Sequence, residues 1–361
     1  MTTHYLYYII PFIICILIAT AVIPVIINVC YKHDLYDIPN GRKIHNIAVP
    51  RLGGIIFMPI TAIGIVLGMI ILSNGKNHEF NFYLSTFLMV VGAFLIYLIG
   101  LIDDLRGLNA SHKFAIQAAA AILFPACNLM ISNLHGLFGI YELPMWASYP
   151  LTVFAIMLIV NAMNLIDGID GLSSSLSIII LCTFAYLFNK MGASIFVLLS
   201  VSLCGAIIGF FFYNFYGRIG KSKIFMGDTG SLFIGFVIAY LAIKFQMSEW
   251  DNIVYQEGAM LLISITLIFI PCMDVVRVAI GRVLNGKKMF APDKTHIHHV
   301  IMNMGLTMHQ TLYTIIILFA AISVINWGLY ISNINITIIF LIDIAIYSLF
   351  IWSASKIAST K

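Results

Sequence analysis

Carboxylate and carboxamide side chains stand at the ends of long apolar segments in this 361-residue chain. The groups are Asp103-Asp104, Asn164 with Asp167 and Asp170, and Asp228. Placing ionised groups beside the hydrocarbon core of a bilayer costs free energy, so these positions indicate a function. Carboxylates on one side of a membrane typically bind a divalent cation, and such a cation typically binds and activates phosphate groups. The residue types therefore predict metal-assisted phosphate chemistry.

The composition indicates which elements must position these groups. Hydrophobic residues make up 61% of the chain, charged residues 9%, and the mean hydropathy is +1.02, whereas soluble domains carry about 25% charged residues. We predict an all-α polytopic membrane protein with a single domain over residues 1–361 and a bundle of about eleven spans, ten being the alternative. The predicted spans are 6–29, 52–72, 83–102, 113–132, 149–165, 173–189, 194–213, 230–247, 259–280, 310–328 and 334–353.

Basic residues predict the orientation of the bundle. If the connection 30–51 is cytoplasmic, alternation of the spans leaves only Lys76, Lys190 and Lys244 outside, among 19 Lys and Arg residues. The positive-inside rule then puts the N-terminus outside and the C-terminus and the active site on the cytoplasmic side. The net charge of +4 is small and gives no indication of a nucleic-acid partner.

The adjacent Asp103 and Asp104 end the third span. Two carboxylates at a helix C-terminus repel each other and oppose the negative end of the helix dipole. A cationic partner is therefore expected. Arg106 and Lys113 could supply it as ordinary interfacial ion pairs, which is the alternative to a catalytic role.

Two further motifs carry the other acids. In the run 161–172 a polar side chain recurs every third residue, which keeps neighbouring members roughly on one side of a helix, next to Gly168 and Gly171. The segment 225–231 places Asp228 just before a span, where backbone N–H groups at a helix N-terminus suit a phosphate. The alternatives are a polar helix end with a glycine stop and an ordinary N-cap.

Basic residues and histidines occupy two predicted cytoplasmic connections. The connection 281–308 contains His296, His298 and His299 among lysines. Zinc binding is disfavoured because this connection contains neither Cys nor an HExxH pattern. The histidines are therefore predicted to contact phosphate oxygens. A basic anchor to anionic lipid explains the lysines but not the histidines. The first connection holds Lys43, His45 and Arg51, which could line a phosphate path or only satisfy the positive-inside rule.

Together these segments, from about residue 35 to 310, resemble the polyprenyl-phosphate N-acetylhexosamine-1-phosphate transferase family of the glycosyltransferase 4 type. Members carry an Asp-Asp pair, an Asn-x-x-Asn-x-x-Asp-Gly-x-Asp-Gly run, a Gly-Asp-x-Gly-Ser turn and a His-rich loop, in this order. The His-Ile-His-His form is similar to the undecaprenyl-phosphate alpha-N-acetylglucosaminyl 1-phosphate transferase branch. The muramoyl-pentapeptide branch has three consecutive histidines, which Ile297 interrupts here.

The resemblance implies an enzyme of the bacterial cytoplasmic membrane. Its reaction would transfer N-acetylglucosamine 1-phosphate from UDP-N-acetylglucosamine to undecaprenyl phosphate with Mg2+, or Mn2+ in its place, and release UMP. The product would start a cell-envelope polysaccharide such as O-antigen or teichoic acid. Another UDP-N-acetylhexosamine or UDP-muramoyl-pentapeptide is the alternative donor, and a homodimer is one assembly found in the family.

The resemblance also implies residue roles. Asp228 would be a direct metal ligand, Asn164, Asp167 and Asp170 would orient metal and nucleotide, and the three histidines would hold the pyrophosphate. Asp103 and Asp104 would lie near the lipid phosphate, one of them as a base, and Lys113 would offset their charge. Whether the reaction is a direct displacement or passes through a covalent intermediate stays open.

A membrane transporter is the alternative from another class. Transporter sites tend to lie near the bilayer midplane, whereas the acids here collect at one interface. Asp343 falls near the middle of a predicted span. It could be a midplane site, or a packed, hydrogen-bonded or protonated group.

Overall fold

The computed structural model describes residues 2–37, 49–76, 84–247, 257–289 and 294–359. Within these ranges the chain forms helices α1 to α12, which are, in order, Thr2–Lys32, Phe57–Lys76, Leu84–Arg106, Ala110–Ala126, Met145–Leu165, Leu172–Lys190, Ser194–Phe215, Gly227–Gln246, Glu257–Leu284, Ile297–Asn303, Met308–Ile331 and Ile336–Ser359. A short 3-10 turn, Gly53–Ile56, leads into α2.

Among the described residues, four short strands lie in the connections between helices. The strands β1 (Tyr36–Asp37) and β2 (Val49–Pro50) pair antiparallel. The strands β3 (Asn133–Leu137) and β4 (Ile140–Glu142) form an antiparallel hairpin between α4 and α5. These strands lie outside the predicted spans and leave the helical class unchanged.

Ten of the described helices are long and apolar enough to cross a membrane, so the predicted all-α polytopic class is confirmed. The additional predicted span is α4, which has 17 residues. Lys113 near its start contacts Asp228 in the first turn of α8. Past its end, the backbone N–H of Met130 donates to the sulfur of Met247, just after α8. This segment therefore runs beside α8 from one end to the other, and its membrane crossing stays a prediction.

Helix α8 lies at the centre of the bundle. Buried residues make up 89% of its apolar stretch, against 22% for α1, α11 and α12, and α8 packs against α3, α5 and α9. A helix that is apolar on all sides belongs in such an interior. Asp228, in its first turn, is therefore surrounded by the ends of neighbouring helices.

Asp343 lies inside α12 and is fully buried. The amide of Asn326, from α11, donates to Asp343 Oδ2 at 2.9 Å and to Thr266 Oγ1 of α9 at 2.8 Å. Asp343 is thus a packed, hydrogen-bonded group that joins three helices, which is one of the alternatives left open by the sequence.

Candidate active site

The predicted acids meet where four helices begin or end. Helix α3 continues past residue 102 to Arg106 and carries the Asp pair in its last turn. Asn164 lies in the last turn of α5, Lys113 in the first turn of α4, and Asp228 in the first turn of α8. The bundle thereby gathers groups that are far apart in sequence.

Lys113 joins two of the acids. Its Nζ donates to Asp103 Oδ2 at 3.1 Å and to Asp228 Oδ2. The backbone N–H of Leu108 also donates to Asp103, at 2.6 Å. Lys113 therefore offsets Asp103 and Asp228, and not the adjacent pair of acids that the sequence suggested as its partners.

Asp104 has a different environment from its neighbour. Its Oδ1 accepts the backbone N–H of Asp228 at 2.9 Å. Its Oδ2 accepts the backbone N–H of Thr229 at 2.8 Å and the Thr229 hydroxyl at 2.6 Å. The residue is 5% exposed, so its carboxylate is occupied as a cap for α8. These hydrogen bonds give Asp104 a structural role at the start of α8, and its position beside the lipid phosphate stays a prediction.

Gly227 allows this cap to form. Its backbone has φ +74°, and a Cβ there would lie 2.2 Å from the carbonyl oxygen of Arg51 and 2.6 Å from Asp104 Oδ2. A side chain would therefore be both strained and obstructed. The absence of a side chain on Gly227 lets the backbone of Arg51 pack against the start of α8.

Asn164 orients Asp228. Its amide nitrogen donates to Asp228 Oδ1 at 3.0 Å and to Ser231 Oγ at 2.8 Å. Because the nitrogen and not the oxygen of Asn164 faces Asp228, the structure places Asn164 as a hydrogen-bond donor to the predicted metal ligand. Direct coordination of metal by Asn164 stays a prediction.

Asp170 forms a buried ion pair that the sequence did not indicate. Its Oδ2 lies 2.7 Å from Lys223 Nζ, and both side chains are 7% exposed. Nearby, Asn214 accepts the N–H of Gly171 at 2.7 Å and donates to the carbonyl of Ile224 at 3.0 Å. Lys223 and Asn214 thus fix the Asp170 loop beside the segment that leads to α8. The weak sequence signal was Lys223 itself, the last of three basic residues in the segment that leads to Asp228.

Asp167, the second candidate metal ligand, lies close to three other acids. Burial, followed by the negative charges of Asp170, Asp228 and Asp104, raises its pKa well above the ordinary value. Among the described residues, no Lys, Arg or His side chain pairs with the Asp167 carboxylate. An added divalent cation would relieve this repulsion.

These residues fit a Mg2+ site that is completed by substrate. No group of three His, Cys, Asp or Glu side chains placed to hold a metal ion occurs among the described residues. Mg2+ is commonly bound by one or two carboxylates together with substrate phosphates. Asp228 and Asp167 would be those carboxylates, with Asn164 supporting Asp228.

His298 packs directly on the Asp167 loop. A Cβ on Gly168 would lie 2.2 Å from His298 Nε2, so only glycine leaves room for the imidazole. Burial, followed by the nearby His299, lowers the pKa of His298 to about 3. The imidazole is therefore neutral at physiological pH, and any contact with phosphate would use an N–H donor and not a full positive charge.

The other predicted residues fall into two groups. His296 is buried and its Nδ1 lies 2.7 Å from Asp274 Oδ2, while the His299 ring lies 4.3 Å from the His298 ring. Lys43 and His45 lie outside the described residues, so their predicted roles stay predictions.

The chain is similar to known proteins over most of its length. Positions 86–246 match the sequence profile described as glycosyl transferase family 4. A probable undecaprenyl-phosphate N-acetylglucosaminyl 1-phosphate transferase of Bacillus subtilis is 35% identical over 309 residues, covering 85% of this chain and 80% of the relative. An undecaprenyl-phosphate alpha-N-acetylglucosaminyl 1-phosphate transferase of Escherichia coli is 30% identical over 338 residues, covering 92% and 87%. A decaprenyl-phosphate N-acetylglucosaminephosphotransferase of Mycobacterium tuberculosis is 31% identical over 309 residues, covering 80% and 74%.

Proposed function

The chain belongs to glycosyl transferase family 4, among the polyprenyl-phosphate N-acetylhexosamine-1-phosphate transferases, and from this membership and the site we propose that it transfers N-acetylglucosamine 1-phosphate to a polyprenyl phosphate. The observation that carries the proposal is the convergence of Asp103, Lys113, Asn164 and Asp228 from four helices. We further propose UDP-N-acetylglucosamine as donor and undecaprenyl phosphate as acceptor. The product would initiate an envelope polysaccharide.

The reaction joins two anions, and charge neutralisation is its main requirement. An oxygen of the lipid phosphate attacks the β-phosphorus of the donor, the bond from that phosphorus to the bridging oxygen breaks, and UMP leaves. Mg2+ held by Asp228 and Asp167 would supply positive charge at the phosphates. A phosphate monoester loses its second proton near pH 6, so little base is needed. Asp103 suits that role better than Asp104, because the Asp104 carboxylate is occupied by three donors.

The site is proposed to face the cytoplasm, where nucleotide sugars are made. The basic residues of the connections support this orientation through the positive-inside rule. The acceptor would enter sideways from the bilayer with its phosphate at the C-terminal end of α3 and the N-terminal end of α8. The N-terminus would then lie outside and the C-terminus inside.

Removal of metal is expected to reduce UMP release to background, because Asp167 and Asp228 would face the substrate phosphates without a cation between them. The measurement uses purified protein in detergent with undecaprenyl phosphate, a panel of UDP-sugars, and EDTA. Adding Mg2+ in excess should restore the rate, and Mn2+ should substitute. Full activity with EDTA would contradict the metal proposal, and no UMP from any donor with folded protein would contradict the transferase proposal.

Replacing His298 by Ala is expected to weaken catalysis at least ~10-fold more than replacing Lys288 by Ala. His298 is buried against Gly168, whereas Lys288 is exposed. The kcat and KM for UMP release measure the difference, with the thermal midpoint of both variants in detergent as the control for folding. Equal effects would favour a basic lipid anchor as the role of the whole connection.

A further inference from the structure

Asp274 forms the centre of a buried polar cluster outside the acids of the site. It lies in α9 and is 1% exposed. Its Oδ1 accepts from Arg277 at 2.7 Å, from the backbone N–H of Ile297 at 2.9 Å and from the Tyr347 hydroxyl at 3.1 Å. Its Oδ2 lies 2.7 Å from His296 Nδ1. One carboxylate therefore joins α9, α10 and α12.

A buried carboxylate is stable in its charged form only if hydrogen bonds and an opposite charge replace the water that it loses on burial. Arg277 supplies the opposite charge and also donates to the carbonyl of Thr295 at 2.6 Å. Ile297 is the first residue of α10, so Asp274 also caps that helix. The contacts with Thr295, His296 and Ile297 together hold the start of the histidine segment.

The cluster connects to the candidate site through stacked rings. The His296 and His298 rings are nearly parallel, at 4° with centroids 6.0 Å apart. His298 in turn packs on Gly168, beside Asp167. Displacement of His296 would therefore remove the support of His298 at the Asp167 loop.

We propose that Asp274 is a positioning residue for the transfer reaction. It accepts the Nδ1 proton of His296, which fixes the tautomer and ring orientation of that histidine, and it thereby holds His298 against the Asp167 loop. The inference rests on the proposed function only in its link to turnover. The placement of the two histidines can be tested without activity.

The test compares Asp274→Asn with wild type. Asn keeps the shape of the side chain but can present an amide N–H to His296 Nδ1, which removes the charge and reverses the hydrogen bond. Two matched controls are available. Asp343→Asn makes the same change at another buried aspartate, away from the histidines. Tyr347→Phe removes one donor from Asp274 and leaves its charge and its contact with His296.

The first readout is modification of histidines by diethyl pyrocarbonate, followed residue by residue with mass spectrometry. The exposed His112 serves as the internal reference. We expect His296 and His298 to be modified at least several-fold faster in Asp274→Asn and at the wild-type rate in both controls. Unchanged modification in a folded Asp274→Asn protein would overturn the proposal.

The second readout is kinetic. Loss of an orienting partner of this kind typically lowers activity by about 10- to 100-fold, so kcat for UMP release should fall by that factor in Asp274→Asn. The thermal midpoint should fall no more than in Asp343→Asn. Asp274→Glu, which restores the charge, should recover part of kcat. A decrease in kcat that simply follows the loss of stability across all four variants would indicate a structural role and overturn the proposal.

A measurement on wild-type protein covers the case in which Asp274→Asn does not fold. In protein labelled with 15N-histidine, the His296 signal, assigned by its loss in His296→Gln, should show a protonated Nδ1. An unprotonated Nδ1 would overturn the proposal. If wild type releases no UMP while the modification and 15N results are as expected, the proposed function fails and the placement of the histidines stands.

Discussion

Replacing Asp228 by Asn is expected to reduce UMP release by about 10³-fold or more while the protein stays folded. Asp228 is the acid on which Lys113 and Asn164 converge. Asn keeps the shape and can still accept the amide of Asn164 through Oδ1. The substitution removes the negative charge that would hold the metal and leaves Lys113 paired with Asp103 alone.

The measurement is single-turnover and steady-state UMP release at several Mg2+ concentrations, with the thermal midpoint recorded for each sample. Asp343→Asn is the matched control, because it makes the same change at a buried acid among α9, α11 and α12. We expect that variant to retain activity. Near-normal turnover in Asp228→Asn would refute the assignment of Asp228 as a metal ligand.

Replacing Asp104 by Ala is expected to destabilise the protein by about 2–4 kcal/mol and to inactivate it. The change leaves the backbone N–H groups of Asp228 and Thr229, and the Thr229 hydroxyl, without their acceptor in a buried location. The first turn of α8 would then move, and Asp228 with it.

Asp103→Ala provides the comparison. Asp103 interacts with Lys113 and the backbone of Leu108, so its loss should lower activity with a much smaller effect on stability. Thermal unfolding in detergent, monitored by intrinsic fluorescence beside UMP release, separates the two cases. If Asp104→Ala lost activity at an unchanged thermal midpoint, Asp104 would belong to the chemistry and not to the cap.

The different partners of Asp103 and Asp104 show where inference from sequence stops. The two residues form one motif in sequence, which predicts both of them near the lipid phosphate with one as a base. Successive residues on a helix point about 100° apart. One carboxylate therefore faces Lys113 and Asp228, and the other faces the backbone of α8.

The same limit explains the polar residues that the sequence analysis missed. Lys223 and Asp274 lie outside the recurring polar motifs, and an isolated lysine or aspartate near a membrane end has many ordinary explanations. Their partners, Asp170 and His296, lie in other segments. Packing of the helices and loops decided these pairs.

The helical class, the crossings and the gathering of acids at helix ends were predictable from sequence alone. Apolar runs of about 20 residues satisfy their backbone hydrogen bonds in a bilayer as helices. Alternation of the spans then brings the polar residues at their ends to the same side of the membrane. Which acid caps a helix, which binds a lysine and which lacks a cationic partner depended on tertiary structure. These outcomes rest on contacts such as that between Asp104 and the backbone of Asp228, which are 124 positions apart, and the packing of α3 against α8 determines their geometry.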